Sequence, residues 1–142
     1  MAQIKHIAIA TQDSKKTAQF YQNLFGLKQV VELDGPTARG FFLSDGNINM
    51  AILDFKNDEA AGVERGMGYS GLHHIGFEVE SLEQIANKME AANANPRYDI
   101  NQAMKLGASH QRHGNVEVKY AGPDGVIIDV SETGWVGTRD SD

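Results

Sequence analysis

The sequence predicts an α+β fold built from two tandem strand–helix–strand–strand–strand units. Three observations predict it. Short apolar, β-rich runs alternate with segments whose apolar residues recur at helical spacing. The second half repeats the first at an offset of 68, which places His6 on His74, Ile7 on Ile75, Ile9 on Phe77, Asp13 on Ser81 and Ala18 on Ala86. Between the halves, residues 56–70 carry three glycines and little periodicity, as a linker does. The 142 residues suit one domain, 1–142, with units at about 3–56 and 71–134 and a linker at 57–70. Neither unit is large enough to bury both faces of its own sheet, so the two need each other.

Taken in order, Ile4 to Ala10 is a short apolar strand. Asp13 or Ser14 caps a helix that carries Ala18, Tyr21, Leu24 and Phe25 on one stripe and stops at Gly26. Leu27 to Leu33 is the second strand, and Asp34-Gly35-Pro36 is a turn. Gly40 to Ser44 and Ile48 to Phe55 form a hairpin about Asp45-Gly46-Asn47. One helical turn is expected at Asp58 to Val63. Gly71 to Val79 restarts the pattern. Ser81 and Gln84 form a capping box ahead of a helix with the stripe Leu82, Ile85, Ala86 and Met89. Asn95-Pro96 ends that segment, and Ala103 to His113 is expected to contain a further strand. Val116 to Tyr120 and Val126 to Val130 flank the turn Gly122-Pro-Asp-Gly125.

Composition narrows the chemistry. With no cysteine there is no disulfide framework, thiolate metal site or cysteine nucleophile, so any metal must be held by nitrogen and oxygen. A net charge of −6 is unfavourable for nucleic acid. No apolar run reaches the ~20 residues of a membrane helix. The first residues lack the apolar segment of a signal peptide. The expectation is a cytoplasmic protein handling small molecules. Gly66-Met-Gly-Tyr-Ser-Gly71 matches a dinucleotide-binding pattern in letters only, because a linker precedes it and a strand follows it.

Strand alternation sorts the candidate residues by face. His6 shares a face with Ile4, Ala8 and Ala10, and His74 shares one with Leu72, Gly76 and Glu78. The small residues Ala8 and Gly76 leave space beside the histidines. His73 takes the opposite face from His74 and reads as structural. Asp129, within Val-Ile-Ile-Asp-Val, is costly to bury alone and needs a metal, an Arg or Lys, or other donors. Glu78 and Glu117 are candidate bases, or solvated carboxylates. Tyr120 is a candidate phenol, or a core residue. His110 and His113 read as loop or edge residues. Trp135 is expected to cover the sheet mouth or a subunit contact, or simply to pack, and Thr138 to Asp142 is expected to fray.

Four segments carry a resemblance to a known family: His6-Ile-Ala-Ile-Ala, Ala18-Gln-Phe-Tyr-Gln-Asn-Leu-Phe-Gly-Leu27, Leu72-His-His-Ile-Gly-Phe-Glu-Val79 and Gly122-Pro-Asp-Gly-Val-Ile-Ile-Asp-Val130. The chain resembles the vicinal oxygen chelate superfamily over nearly its whole length. That superfamily includes glyoxalase I, bleomycin-resistance proteins, methylmalonyl-CoA epimerase, fosfomycin-resistance enzymes and extradiol dioxygenases. The resemblance implies two βαβββ modules in a U-shaped, eight-stranded mixed sheet, with helices outside and a metal site inside. It implies His6, His74 and Asp129 as ligands, with the fourth ligand position falling at Ala51 or Met50, neither of which suits a hard cation. Two histidines and one carboxylate suit Fe(II) and dioxygenase-like chemistry, with Mn, Ni or Zn as alternatives. A glyoxalase- or epimerase-like lyase or isomerase is a second outcome. A metal-free binding protein of the bleomycin-resistance type is a third. A homodimer acting on a small molecule is expected by the same analogy.

Overall fold

The computed structural model describes residues 1–105 and 117–139. In chain order these form β1 (Gln3–Ala10), α1 (Ser14–Phe25), β2 (Lys28–Asp34), β3 (Ala38–Ser44), β4 (Asn49–Phe55), α2 (Asp58–Ala61), β5 (Gly71–Glu78), α3 (Leu82–Ala91), α4 (Tyr98–Ala103), β6 (Glu117–Ala121) and β7 (Ile127–Ser131). The described strands make one mixed sheet of seven, ordered β2-β3-β4-β1-β5-β7-β6. Eight strands were expected. The strand expected within Ala103 to His113 lies chiefly outside the described residues, and Ala103 itself ends α4.

Local chemistry sets the element ends. The Asp13 carboxylate accepts from Lys16 N at 3.1 Å and starts α1, and Gly26 stops it at φ 71°. Ser81 Oγ accepts from Gln84 N at 3.1 Å to start α3. The six-residue α4 was not expected. At less than two turns, with Ile100 its one buried residue, it has no periodicity to read.

The sheet separates two apolar layers. Ala18 of α1 packs with Leu43 and Ile52, and α3 packs Leu82, Ile85 and Met89 against Tyr120 and Val130. The opposite face gathers Ala8, Ala51, Leu53 and Ile127 with Ala60, Ala61 and Ile100 of α2 and α4. Helices therefore cover both faces, where the resemblance implied the outer face alone. The short pair α2 and α4 closes one side of the face that carries the site.

Registers at the centre position that site. The antiparallel pair β1–β5 sets His6 opposite Gly76 and Ala8 opposite His74, so each histidine faces a small residue. The parallel pairs β1–β4 and β5–β7 set Ala8 beside Ala51 and Gly76 beside Asp129. Ala51 thus stands to Ala8 as Asp129 stands to Gly76, which selects Ala51 over Met50 as the counterpart of Asp129. No helix among the described residues is long and apolar enough to cross a membrane.

Candidate functional site

His6, His74 and Asp129 offer ligand atoms within 4.8 Å of one another, and all three are buried. His6 Nε2 and His74 Nε2 lie 3.0 Å apart, and His74 Nε2 lies 3.7 Å from Asp129 Oδ2. His6 and His74 line a cavity of about 400 Å³, with Asp129 buried behind it; the polar lining includes Glu117 and Lys119 and the apolar walls include Leu33, Phe42, Leu53, Met104 and Trp135. Ala51 also lines it, so the fourth ligand position presents a methyl group.

The space beside the histidines is already used. A Cβ on Gly76 would meet His6 Cβ at 2.7 Å and the Trp135 ring at 2.8 Å. Trp135 stacks on His6 with centroids 4.7 Å apart and planes 4° from parallel. The C-terminal segment that carries Trp135 is tied down. Asn49 Nδ2 donates to Val136 O at 2.9 Å, and Ser44 Oγ donates to Gly137 O at 2.5 Å. Thr138 is buried and donates to Trp135 O, and Arg139 bonds Glu78. Thr138 and Arg139 therefore do not fray as expected; residues 140–142 lie outside the described set.

A β-bulge overturns the expected orientation of His73. Ala8 pairs with His74 but Ile9 pairs with Leu72, which leaves His73 as the extra residue of β5. The alternation breaks there, and the His73 and His74 rings meet, Nδ1 to Nδ1, at 2.8 Å. His73 Nε2 donates to Ala61 O at 2.7 Å. At the other end of the chain of rings, His6 Nδ1 donates to Asn49 Oδ1 at 2.8 Å. That amide is oriented by its own donation to Val136 O.

This chain poses a problem of proton number. Asn49 Oδ1 and Ala61 O only accept, so His6 Nδ1 and His73 Nε2 must carry hydrogens. The His6–His74 and His74–His73 contacts need one proton each. Four contacts need four protons, and three neutral imidazoles supply three. A fourth proton would make a buried imidazolium, and the surroundings oppose one. Burial lowers His6 to about 4, with Lys119 adding to the shift, and burial lowers His73 to about 4. His74 is pushed well below its ordinary value by burial, then by Lys119. A metal ion facing both Nε2 atoms removes the shortfall, because three ring protons then serve three remaining bonds. The two Nε2 atoms, 3.0 Å apart, are close enough for one ion to be held by both rings. The donor set fits a divalent cation.

The carboxylate side of the site carries a cation of its own. Lys119, 2% exposed, donates from Nζ to Asp129 Oδ2 at 2.9 Å and lies 3.7 Å from Glu117 Oε2. Asp129 Oδ1 is buried without a hydrogen-bond partner. Burial and the neighbouring Glu117 push the Asp129 carboxyl well up. Burial opposes ionisation of Glu117 too, but Lys119, Asp129 and His6 together outweigh it and hold Glu117 below the usual range. Burial likewise opposes the Lys119 charge, and Asp129 and Glu117 outweigh it.

The family model for the Glyoxalase/Bleomycin resistance protein/Dioxygenase superfamily matches residues 3–130. The chain belongs to that superfamily. Among curated proteins it is similar to the human mitochondrial methylmalonyl-CoA epimerase, 27% identical over 138 residues that cover 93% of this chain and 74% of the relative. Among solved structures it is similar to a methylmalonyl-CoA epimerase in complex with methylmalonyl-CoA and NH4+, with TM-score 0.72, 19% identity, and coverage of 92% and 94%. A hypothetical protein from Bacillus halodurans C-125 gives TM-score 0.70 at 22% identity, covering 92% and 93%. The superfamily resemblance read from the sequence is thus shown.

Of the residues singled out in the sequence, the fold brings His6, His74, Asp129 and Glu117 to one place. Glu78 is held by Arg139 at 2.7 Å and does not line the cavity. Tyr120 packs with Val79 and Val130 beneath α3, as a core residue. His110 and His113 lie outside the described residues. Sequence reasoning missed Lys119 and the part played by His73. The Lys119 signal was present. The turn Gly122–Gly125 closes the β6–β7 hairpin, and counting outward from it sets Lys119 opposite Asp129.

Proposed function

We propose that this member of the superfamily is a divalent-metal-dependent enzyme that moves a proton on the carbon beside a carbonyl of a small substrate, as an epimerase-like isomerase does. One observation carries the reading. A His-His-Asp cluster whose ring contacts are one proton short stands beside Glu117, a carboxyl that Lys119 helps to hold below its ordinary value, in an apolar cavity. His6, His74 and Asp129 would hold the ion, with Fe(II), Mn, Ni or Zn all compatible with nitrogen and oxygen donors. When bound, it supplies Lewis-acid attraction for two neighbouring substrate oxygens.

The chain's own residues do the rest. Lys119 keeps Glu117 ionised, which is the state a base needs. Glu117 takes the proton as the C–H bond breaks, and the electron pair moves onto the carbonyl oxygen. Return of that proton from the Glu117 carboxyl restores the C–H bond, and it inverts the carbon when the flat enolate has turned its other face to Glu117. Phe42, Leu53 and Trp135 keep water from the reacting carbon. A substrate with two oxygens placed to share one ion and a small apolar branch is the class we propose, such as a methylmalonyl-type acyl thioester, in keeping with the name of the human relative. The same triad would serve dioxygenase-like chemistry, but that chemistry gives no reason for an ionised Glu117 held by a buried lysine. We read the fold as two βαβββ modules.

A metal-free binding protein is the second reading, favoured by Lys119 on the aspartate oxygen nearest His74. The test is hydrogen–deuterium exchange at the α-carbon of a panel of acyl thioesters and α-hydroxyketones, followed by NMR with metal-loaded protein. Exchange is expected for one class, with a loss of about 100-fold or more in Glu117→Gln. His6→Ala should lose both metal and exchange. Metal-loaded protein that exchanges nothing in the panel would sink the proton-transfer reading. Tight ligand binding without metal would favour the second.

A further inference from the structure

We infer that Lys119 is a built-in cation that competes with the divalent ion for Asp129, so that metal enters the site only as Lys119 gives up that carboxylate oxygen. The inference rests on the metal-site reading above and adds a control element to it.

The geometry sets the competition at one atom. Asp129 Oδ2 is the oxygen 3.7 Å from His74 Nε2, and it is the oxygen that takes the Lys119 hydrogen bond at 2.9 Å. Oδ1 has no hydrogen-bond partner. The lysine is therefore not bonded to the carboxylate's spare oxygen. It sits on the oxygen turned towards the histidines. Lys119 is itself buried, and its other ion-pair contact is Glu117 at 3.7 Å. Glu117 is thus the place where the ammonium goes when it leaves Asp129. A shift of under an ångström would close that contact to hydrogen-bond length.

Charge explains why such an arrangement is needed. Glu117 and Asp129 are two carboxylates in a buried site, and without a cation one of them would have to be protonated. Lys119 lets the metal-free protein fold with the ligand set in place. With metal bound, two cations share two carboxylates, Lys119 on Glu117 and the ion on Asp129. The cost is affinity, because a like charge remains beside the ion. The superfamily position that could have added a fourth ligand holds Ala51, so nothing on β4 offsets that cost.

The test measures metal affinity directly. The single tryptophan of the chain, Trp135, stacks on His6 and reports ligation there through its fluorescence. Ni(II) and Mn(II) are titrated into the full chain by calorimetry and by Trp135 emission, for wild type, Lys119→Met and Lys119→Met/Glu117→Gln. The double variant removes one charge of each sign, so it keeps the net charge of the site and guards against failure of the single variant to fold. Affinity for metal is expected to rise by about tenfold or more in the lysine variants. His74→Ala added to either should abolish binding. Equal affinity in wild type and both lysine variants would overturn the competition and leave the metal site standing. Weaker binding in both would overturn it as well, by making Lys119 a support for the ligand set. No binding in any protein would overturn the competition together with the metal reading.

Discussion

At the scale of single residues, His73 and His74 show how one inserted residue changes a side chain's part. Strict alternation along β5 sends His73 to the face opposite His74, and a bulge returns it to the same ring chain. His73 then holds His74 through Nδ1 and is held by Ala61 O, which fixes the His74 ring with Nε2 towards the cavity. His73→Phe keeps the ring volume and removes both bonds. Metal affinity, read from Trp135 emission, should fall by about 10–100-fold. Two buried polar atoms left without partners should also lower stability by about 2 kcal/mol in a urea melt. A loss of stability with metal affinity unchanged would make His73 a packing residue only. His6 and His74 could be picked out together because the repeat superposes them, and Asp129 because β7 keeps its period of two. His73 was not, because a bulge leaves no mark in the residue pattern. Gly76 was half legible. Its smallness was visible, but the ring that uses the space comes from Trp135, 59 positions further along.

At the scale of elements, sequence was most informative where a local device sets an end. Asp13, Gly26, Ser81 and the Asp45-Gly46-Asn47 turn lie at the boundaries expected of them. It was least informative where an element is too short for a period, as in α4, or where the meaning of a polar strand face depends on what lies opposite. Glu117 and Lys119 look like a solvated edge until the β6–β7 register places Lys119 across from Asp129 on the face lining the cavity. Cross-strand pairing, not hydropathy, carries that information. The capping devices also allow a control that separates helix stability from the site. Asp13→Ala removes the hydrogen bond to Lys16 N at the start of α1, on the sheet face away from the histidines. It should cost about 1 kcal/mol of unfolding free energy. Calorimetric metal binding should be unchanged. A matching loss of metal affinity would mean that α1 and the site are coupled through β1.

For the whole molecule, the site makes stability depend on pH in a direction that follows from its buried groups. His6 and His73 have folded values near 4 against 6.5 when free, and His74 is shifted the same way. Between pH 6.5 and 4 the unfolded chain therefore binds more protons than the folded one, and stability falls as pH falls through that window. Each of the two histidines with a stated value can account for roughly 3 kcal/mol by the lower end. Glu117, held below its ordinary value, contributes the same sign at the acid end. Asp129 has the opposite sign, because its carboxyl is raised and its protonation on acidification favours the folded state. Three histidines and Glu117 outweigh that one group, so the metal-free protein should lose melting temperature steadily from pH 6.5 to 4. Thermal melts across that range in a chelating buffer measure it. Saturating divalent metal should raise the curve near neutrality and steepen it, since the ion binds only neutral imidazole and is released as the rings take protons. A chelated protein whose melting temperature stays flat over this window would contradict neutral buried histidines.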